Sequence, residues 1–150
     1  MLYHFTDSLR LGFIMEDGYL KLTPSSLLKP VSIHVERDER GILSYVDETD
    51  SYKPVVWLTS IENAKGGDLG IHNLKCTIRI ALEEKPEYRY YPVWARENKM
   101  KTNWFKSFTR DKRFGSWYVC EKTIPVSDFI EIVDMRTGEV LYRKCENNVA

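Results

Sequence analysis

The sequence predicts an α+β fold in which strand dominates and helices are few and short. Three observations carry this. β-Branched and aromatic residues alternate with polar ones along most of the chain, Pro and Gly punctuate the runs, and only one segment near the start has a clear helical pattern with start and stop signals.

Leu2 to Thr6 reads as a short strand that contains a histidine. Ser8 to Asp17 reads as one or two helical turns, with Gly18 placed to close them in the left-handed conformation. Lys21 to Thr23 starts a short extended piece, and Pro24 to Leu28 is a turn or a single helical turn ended by Pro30. Strands are predicted at Val31 to Val35 and Gly41 to Val46, on either side of an acidic turn. Val55 to Thr59 is a nearly continuous apolar run after Pro54, as a central strand requires. Gly66 to Gly70 is predicted as a mobile surface loop. From Cys76 to Leu82 the alternation sets Cys76, Ile78, Ile80 and Leu82 on one face and Thr77, Arg79 and Ala81 on the other. Tyr88 to Trp94 is aromatic and strand-prone, Asn103 to Arg110 is a candidate short helix, and Trp117 to Glu121 reads as a strand running into Ile124-Pro125. Phe129 to Val133 and Val140 to Arg143 flank a loop, Asp134 to Gly138, of the length hairpins favour.

The 150 residues suit a single globular domain with a real core. A hydrophobic content of 43% and an aromatic content of 13% argue against disorder. Twenty-two basic and 22 acidic residues cancel, which removes bulk attraction to nucleic acid or membrane. The charge is nevertheless uneven. From Arg96 to Arg113, Arg96, Lys99, Lys101, Lys106, Arg110, Lys112 and Arg113 face only Glu97 and Asp111, about +5 in a neutral chain.

Cys76, Cys120 and Cys145 are widely spaced and form no CxxC pair, so a disulfide framework or zinc site is not suggested and a reducing compartment fits. No stretch approaches the roughly 20 apolar residues of a membrane span and the N-terminus lacks signal-peptide features; a soluble, cytoplasmic protein is expected. Gly66, Gly67 and Gly70 are not followed by GK[ST], His34 and His72 lack metal-ligand spacing, and no GxSxG elbow occurs, so no metal is expected.

The segment Tyr3-His4-Phe5-Thr6, followed by Leu9, Ile14 and Gly18-Tyr19-Leu20, resembles the start of the ADP-ribosyltransferase superfamily, which includes DNA-targeting ADP-ribosyltransferase toxins and tRNA 2′-phosphotransferases. The resemblance implies a split, mostly antiparallel β-sandwich whose central cleft holds NAD as co-substrate. By position, His4 matches the first-strand histidine, Trp57-Leu58-Thr59-Ser60 the middle strand, and Glu121 the late acid before Ile124-Pro125. Two departures stand out. The aromatic of the second motif is Trp57 where histidine-bearing members carry tyrosine, and Val119-Cys120-Glu121-Lys122 holds one acid in place of a Glu-x-Glu or Gln-x-Glu pair.

What the resemblance implies for the site is an NAD-dependent transferase acting on a macromolecule. Glu121 would stabilise the oxocarbenium-like charge that develops as the nicotinamide bond breaks. His4 would hydrogen-bond a ribose, Phe5 and Thr6 would support the carboxamide loop, Trp57, Thr59 and Ser60 would line the nicotinamide side, and Arg79 would neutralise the pyrophosphate. The plainer alternatives are a core histidine at His4, a surface acid paired with Lys122 at Glu121, and a solvated strand residue at Arg79.

From Arg96 to Tyr118 the cations interleave with Trp104, Phe105, Phe108, Phe114, Trp117 and Tyr118, the composition of a single-strand or tRNA contact. Lys101, Trp104, Phe105, Lys106 and Arg110 are the candidate acceptor-binding residues, with Trp104 and Phe105 expected to be exposed. Two other functions fit the same sequence: a non-catalytic nucleotide or nucleic-acid binding module on this fold, and a small protein that inhibits a host enzyme. Size and compactness would suit a toxin or a phage factor.

Overall fold

The computed structural model describes residues 1–23, 33–37, 39–41, 43–47, 54–69, 71–98 and 115–145. These form a mixed α+β structure around a seven-stranded sheet whose described pairings are all antiparallel, with a few short helices. The strands are β1 (Leu2–Thr6), β2 (Tyr19–Leu20), β3 (Ile33–Arg37), β4 (Leu43–Asp47), β5 (Val56–Thr59), β6 (Ile78–Leu82), β7 (Arg89–Tyr90), β8 (Trp117–Cys120), β9 (Ile124–Pro125), β10 (Phe129–Asp134) and β11 (Val140–Arg143). The helices are α1 (Ser8–Asp17), α2 (Gly66–Leu69) and α3 (Tyr91–Glu97). The large sheet has the order β11-β10-β6-β1-β5-β8-β7, and β2–β9 and β3–β4 form two-stranded ribbons.

The α1 helix has the bounds its sequence signals predict. Asp7 caps it, accepting a hydrogen bond from the Arg10 amide at 2.7 Å. Gly18 ends it at φ 85°, where a side chain would be strained, and its amide donates to the Ile14 carbonyl. The hairpin of β10 and β11 also forms where predicted, closed by the Gly138 amide on the Asp134 carbonyl at 2.7 Å.

Alternation gives the sheet two apolar faces. On one, Leu2, Val56, Leu58, Ile78, Ile80, Leu82, Cys120, Phe129 and Ile132 are buried beneath Leu11 and Ile14 of α1 and beneath β2 and β9. On the other, Tyr3, Phe5 and Ala81 pack with Ala64, Leu69 and Cys76, while Val55 and Val119 pack with Tyr91, Trp94 and Ala95 of α3. Each fully buried Leu or Ile contributes roughly 1.5–3 kcal/mol by leaving water.

Several sequence expectations are corrected here. Gly66 to Leu69 is a helical turn and not a mobile loop: the Gly66 amide donates to Asn73 Oδ1 at 2.9 Å, and Gly66 is buried. Tyr88 to Trp94 is strand only at Arg89–Tyr90. Pro92 opens α3 immediately afterwards, and the apolar residues Tyr91, Trp94 and Ala95 recur at helical spacing. Cys76 lies on a 3₁₀ turn, Asn73–Cys76, and packs on the α3 side of the sheet, opposite Ile78 and Ile80. Among the described residues, β3 (Ile33–Arg37) and β4 (Leu43–Asp47) overlap the strands predicted at Val31 to Val35 and Gly41 to Val46, each running past the predicted end. The turn expected at Pro24 to Leu28 and the helix expected at Asn103 to Arg110 lie outside the described residues.

Candidate functional site

The seam between β1 and β5 is the weakest join in the interior of the large sheet. β1 pairs with β6 at five positions, from Leu2↔Leu82 to Thr6↔Ile78, and β5 with β8 at four; between β1 and β5 one register pair is formed, Tyr3↔Thr59. Beyond it the strands part. Thr23 takes the place of β1, exchanging backbone hydrogen bonds with Val55 at 2.8 and 2.9 Å.

His4 stands at this opening. It shares a face with Ile80, its partner across β6, and with Leu2, which places it on the α1 side. Its Nδ1 lies 2.8 Å from the carbonyl oxygen of Trp57 on β5. A carbonyl can only accept, so Nδ1 carries the proton and Nε2 of the neutral ring presents a lone pair. The side chain keeps some exposure, yet the protein crowds it enough that desolvation holds its pKa below the ordinary 6.5, with the Trp57 bond opposing the shift. The result is a neutral imidazole of one tautomer with an acceptor nitrogen.

Three segments far apart in sequence come together through the strand order. His4 is on β1, Trp57 to Thr59 are on β5, and Glu121 directly follows Cys120, the last residue of β8; β1, β5 and β8 are consecutive neighbours. Since β1 and β8 are both antiparallel to β5, they run in the same direction, and Glu121 lies at the end of the sheet where β1 and β5 part. Glu121 is exposed.

The remaining candidates divide between the two faces. Thr6 is buried at 3% exposure and alternates onto the face of His4. Phe5 and Trp57 point to the opposite face. Phe5 packs with Leu69 and Cys76, and the Trp57 ring lies 5.0 Å from that of Tyr91 and 5.4 Å from that of Trp117. Thr59 Oγ1 accepts from the Ile61 amide at 3.2 Å, and the amide of the exposed Ser60 donates to the Ser116 carbonyl at 3.0 Å.

Arg79 is also on the far face, opposite Phe5 across β6, so the structure does not bring it together with His4. Nor is it a solvated strand residue. Its side chain is 11% exposed, donates to the Glu62 carbonyl and to Asn63 Oδ1 at 3.1 Å, approaches Glu131 at 3.5 Å, and covers the Tyr3 ring at 5.4 Å. Burial, with Glu62 and Glu131 nearby, pushes the Tyr3 hydroxyl above its ordinary pKa despite Arg79.

Lys101, Trp104, Phe105, Lys106 and Arg110 lie outside the described residues. The structure adds Tyr90, which the sequence did not single out, and gives a place to Tyr118, the last aromatic of the Arg96 to Tyr118 segment. Tyr118 pairs with Leu58 and with Tyr90, which sets both tyrosines on the face of His4. The alternation of Trp117 to Cys120 could have assigned Tyr118 a face, whereas its pairing with Tyr90 is a long-range fact. Cys76 and Cys120 are buried thiols whose pKa is raised chiefly by desolvation, so neither is set up as a nucleophile; all three cysteines are free. Among the described residues no group of three or more His, Cys, Asp or Glu could hold a metal ion, and no helix is long and apolar enough to cross a membrane. Compared with protein-family models, curated proteins and solved structures, the chain matches none.

Proposed function

We propose that this protein is an NAD-dependent ADP-ribosyltransferase acting on a macromolecular acceptor, with its cleft at the parted β1–β5 seam. The observation that carries the reading is the convergence of the three motif segments on β1, β5 and the end of β8, with His4 held across the seam as a neutral acceptor. That convergence is what the resemblance to ADP-ribosyltransferases requires, and nothing in local sequence obliges it.

In this reading His4 Nε2 accepts a hydrogen bond from a ribose hydroxyl, and the Trp57 carbonyl fixes its orientation. Thr6 borders the same face. Glu121 stabilises the positive charge that builds at the nicotinamide ribose. The C1′–N bond breaks with its electron pair leaving on nicotinamide, an acceptor heteroatom bonds to C1′, and the acceptor's proton is released. The positions of Trp57 and Arg79 argue for supporting roles: Trp57 packs under α3, and Arg79 knits β6 to β10 and to the Glu62–Asn63 turn.

A non-catalytic nucleotide-binding module is the second reading. It is favoured by Trp57, whose ring packs between Tyr91 and Trp117 and so is not presented to a nicotinamide on the His4 face. Calorimetric titration with NAD, followed by an assay for released nicotinamide with and without nucleic acid, separates the two. Binding with release supports the transferase, binding alone supports the module, and no binding at millimolar NAD overturns both.

A further inference from the structure

We infer that the outer face of α1 joins two copies of this chain, α1 packing antiparallel on α1 about a two-fold axis near Gly12. The inference goes beyond the reaction proposed above and does not depend on it.

The helix is apolar on more sides than one copy uses. Of the ten residues from Ser8 to Asp17, Leu9, Leu11, Phe13, Ile14 and Met15 are large and apolar, yet none of the ten is buried. Leu11 and Ile14 face the sheet and pack on its core. Residues step by about 100° around a helix axis, so Leu9, Gly12, Phe13 and Glu16 fall on the opposite side. There Leu9 is 72% exposed and Phe13 56%. A helix with apolar residues all round belongs in an interior, and for its outer side that interior has to come from another molecule.

Gly12 shows how that molecule fits. Glycine weakens a helix relative to alanine, and a Cβ at this position would meet nothing within 4 Å of its own chain. Neither backbone conformation nor packing within one copy requires glycine. A close neighbour does. Leu9, Gly12, Phe13 and Glu16, spaced i, i+3, i+4 and i+7, outline the hole that receives a side chain from a facing helix, and glycine at one corner opens it to an aromatic ring. With the axis near Gly12, Phe13 of each copy enters the hole of the other.

Charge sets the direction and the partner. Arg10 lies in the first turn and Asp17 at the end of the helix, on one flank beside Phe13. The antiparallel pair brings Arg10 of each copy opposite Asp17 of the other and sets the helix dipoles head to tail. A parallel pair would set Arg10 against Arg10 and Asp17 against Asp17. Within one copy these side chains hold surface partners, Asp7 at 2.8 Å and Lys21 at 2.9 Å, and such pairs contribute little and leave room for a further contact. The face is complementary to itself, as a two-fold contact between identical chains requires. One short helix per copy covers less than the roughly 800 Å² per partner of a standard interface, so the dimer forms at about micromolar concentration or above.

The test is sedimentation velocity from about 1 to about 300 µM, the range in which so small a contact associates, with thermal melting of every variant at the lowest concentration. The unmodified chain should pass from monomer to dimer. Phe13→Ser should weaken association roughly thirty-fold or more, as loss of a central aromatic anchor does. Gly12→Gln fills the hole while strengthening the helix, so it should raise the melting temperature of the monomer and weaken the dimer. Arg10→Asp and Asp17→Arg each suit the helix dipole, so the fold should hold, and each should weaken association by roughly ten-fold through two lost and reversed ion pairs. Mixed in equal amounts, these two variants should associate again, because a mixed dimer restores both opposite-charge pairs. An unmodified chain that stays monomeric throughout would overturn the pairing and leave the face to a different protein. Phe13→Ser and Gly12→Gln that associate as well as the unmodified chain, or a mixture that associates no better than its two components, would overturn it as well.

Discussion

His4 Nδ1 and the carbonyl oxygen of Trp57 are 2.8 Å apart, and this bond bridges β1 and β5 where their ladder has stopped. Two roles follow from one contact. The bond fixes the imidazole tautomer, and it ties together two strands that share a single register pair.

Protonation of His4 should therefore be visible in stability. The folded pKa lies below the ordinary 6.5, so between the two values the unfolded chain binds more protons and stability rises with pH. The contribution is complete above about pH 6.5 and is lost as pH falls from there toward the folded value. Melting temperature followed from pH 8 down to pH 5 should drop more steeply in the unmodified chain than in His4→Asn, which cannot titrate. Parallel curves would remove His4 from the account. NAD affinity should weaken at lower pH than this, as pH falls through and below the folded value, because a protonated Nε2 no longer accepts.

Arg79 separates the two faces of the sheet. Arg79→Met removes hydrogen bonds to the Glu62 carbonyl and Asn63, and should cost about 1–3 kcal/mol, seen as a fall in melting temperature of roughly 2–4 °C per kcal/mol in a chain of this size. NAD affinity should not change, because Arg79 and His4 are on opposite faces. A large loss of NAD binding with unchanged stability would restore the pyrophosphate contact that the resemblance implies.

What was legible in the sequence was local. The helical spacing to Ile14 and the closing Gly18 define α1 within a dozen residues, and Gly138 with its flanking alternation defines the last hairpin. Val55 to Thr59 announces an interior strand because it must be apolar on both faces. Arg79 could not be placed from its own neighbourhood, since its partners come from residues 62, 63 and 131. The face of Trp57 relative to His4 depends on Tyr3↔Thr59, a pairing across 56 residues that no local pattern encodes. The helix Tyr91–Glu97 was missed because aromatic and β-branched residues favour strand locally, and the burial of Tyr91, Trp94 and Ala95 against Val119 outweighs that preference.

Gly66 and Gly67 are adjacent and should respond oppositely to alanine. A Cβ on Gly66 would collide with the Ile71 carbonyl and come within 2.7 Å of Asn73, both parts of the turn that carries α2. Gly66→Ala should destabilise by about 1–3 kcal/mol through overpacking. A Cβ on Gly67 meets nothing within 4 Å, so Gly67→Ala should be neutral or add up to about 1 kcal/mol by restricting the unfolded chain. Chemical denaturation of both variants checks the pair, and similar midpoints would show that the Gly66 amide is not held against Asn73 as described.

Glu121→Gln tests the chemistry with little disturbance to the fold. The residue is exposed and lies just beyond β8, and the substitution keeps size while removing charge, so melting temperature should hold. If its carboxylate faces the developing positive charge, nicotinamide release should fall by at least about a hundred-fold, the scale seen when a preorganised electrostatic contact is removed. NAD affinity should change far less, because the charge exists only on the way to bond cleavage and not in the bound ground state. The alternative, a surface acid paired with the neighbouring Lys122, predicts no change in release. A fall in binding and release by the same factor would instead make Glu121 a ground-state contact, and the binding-module reading would then be preferred.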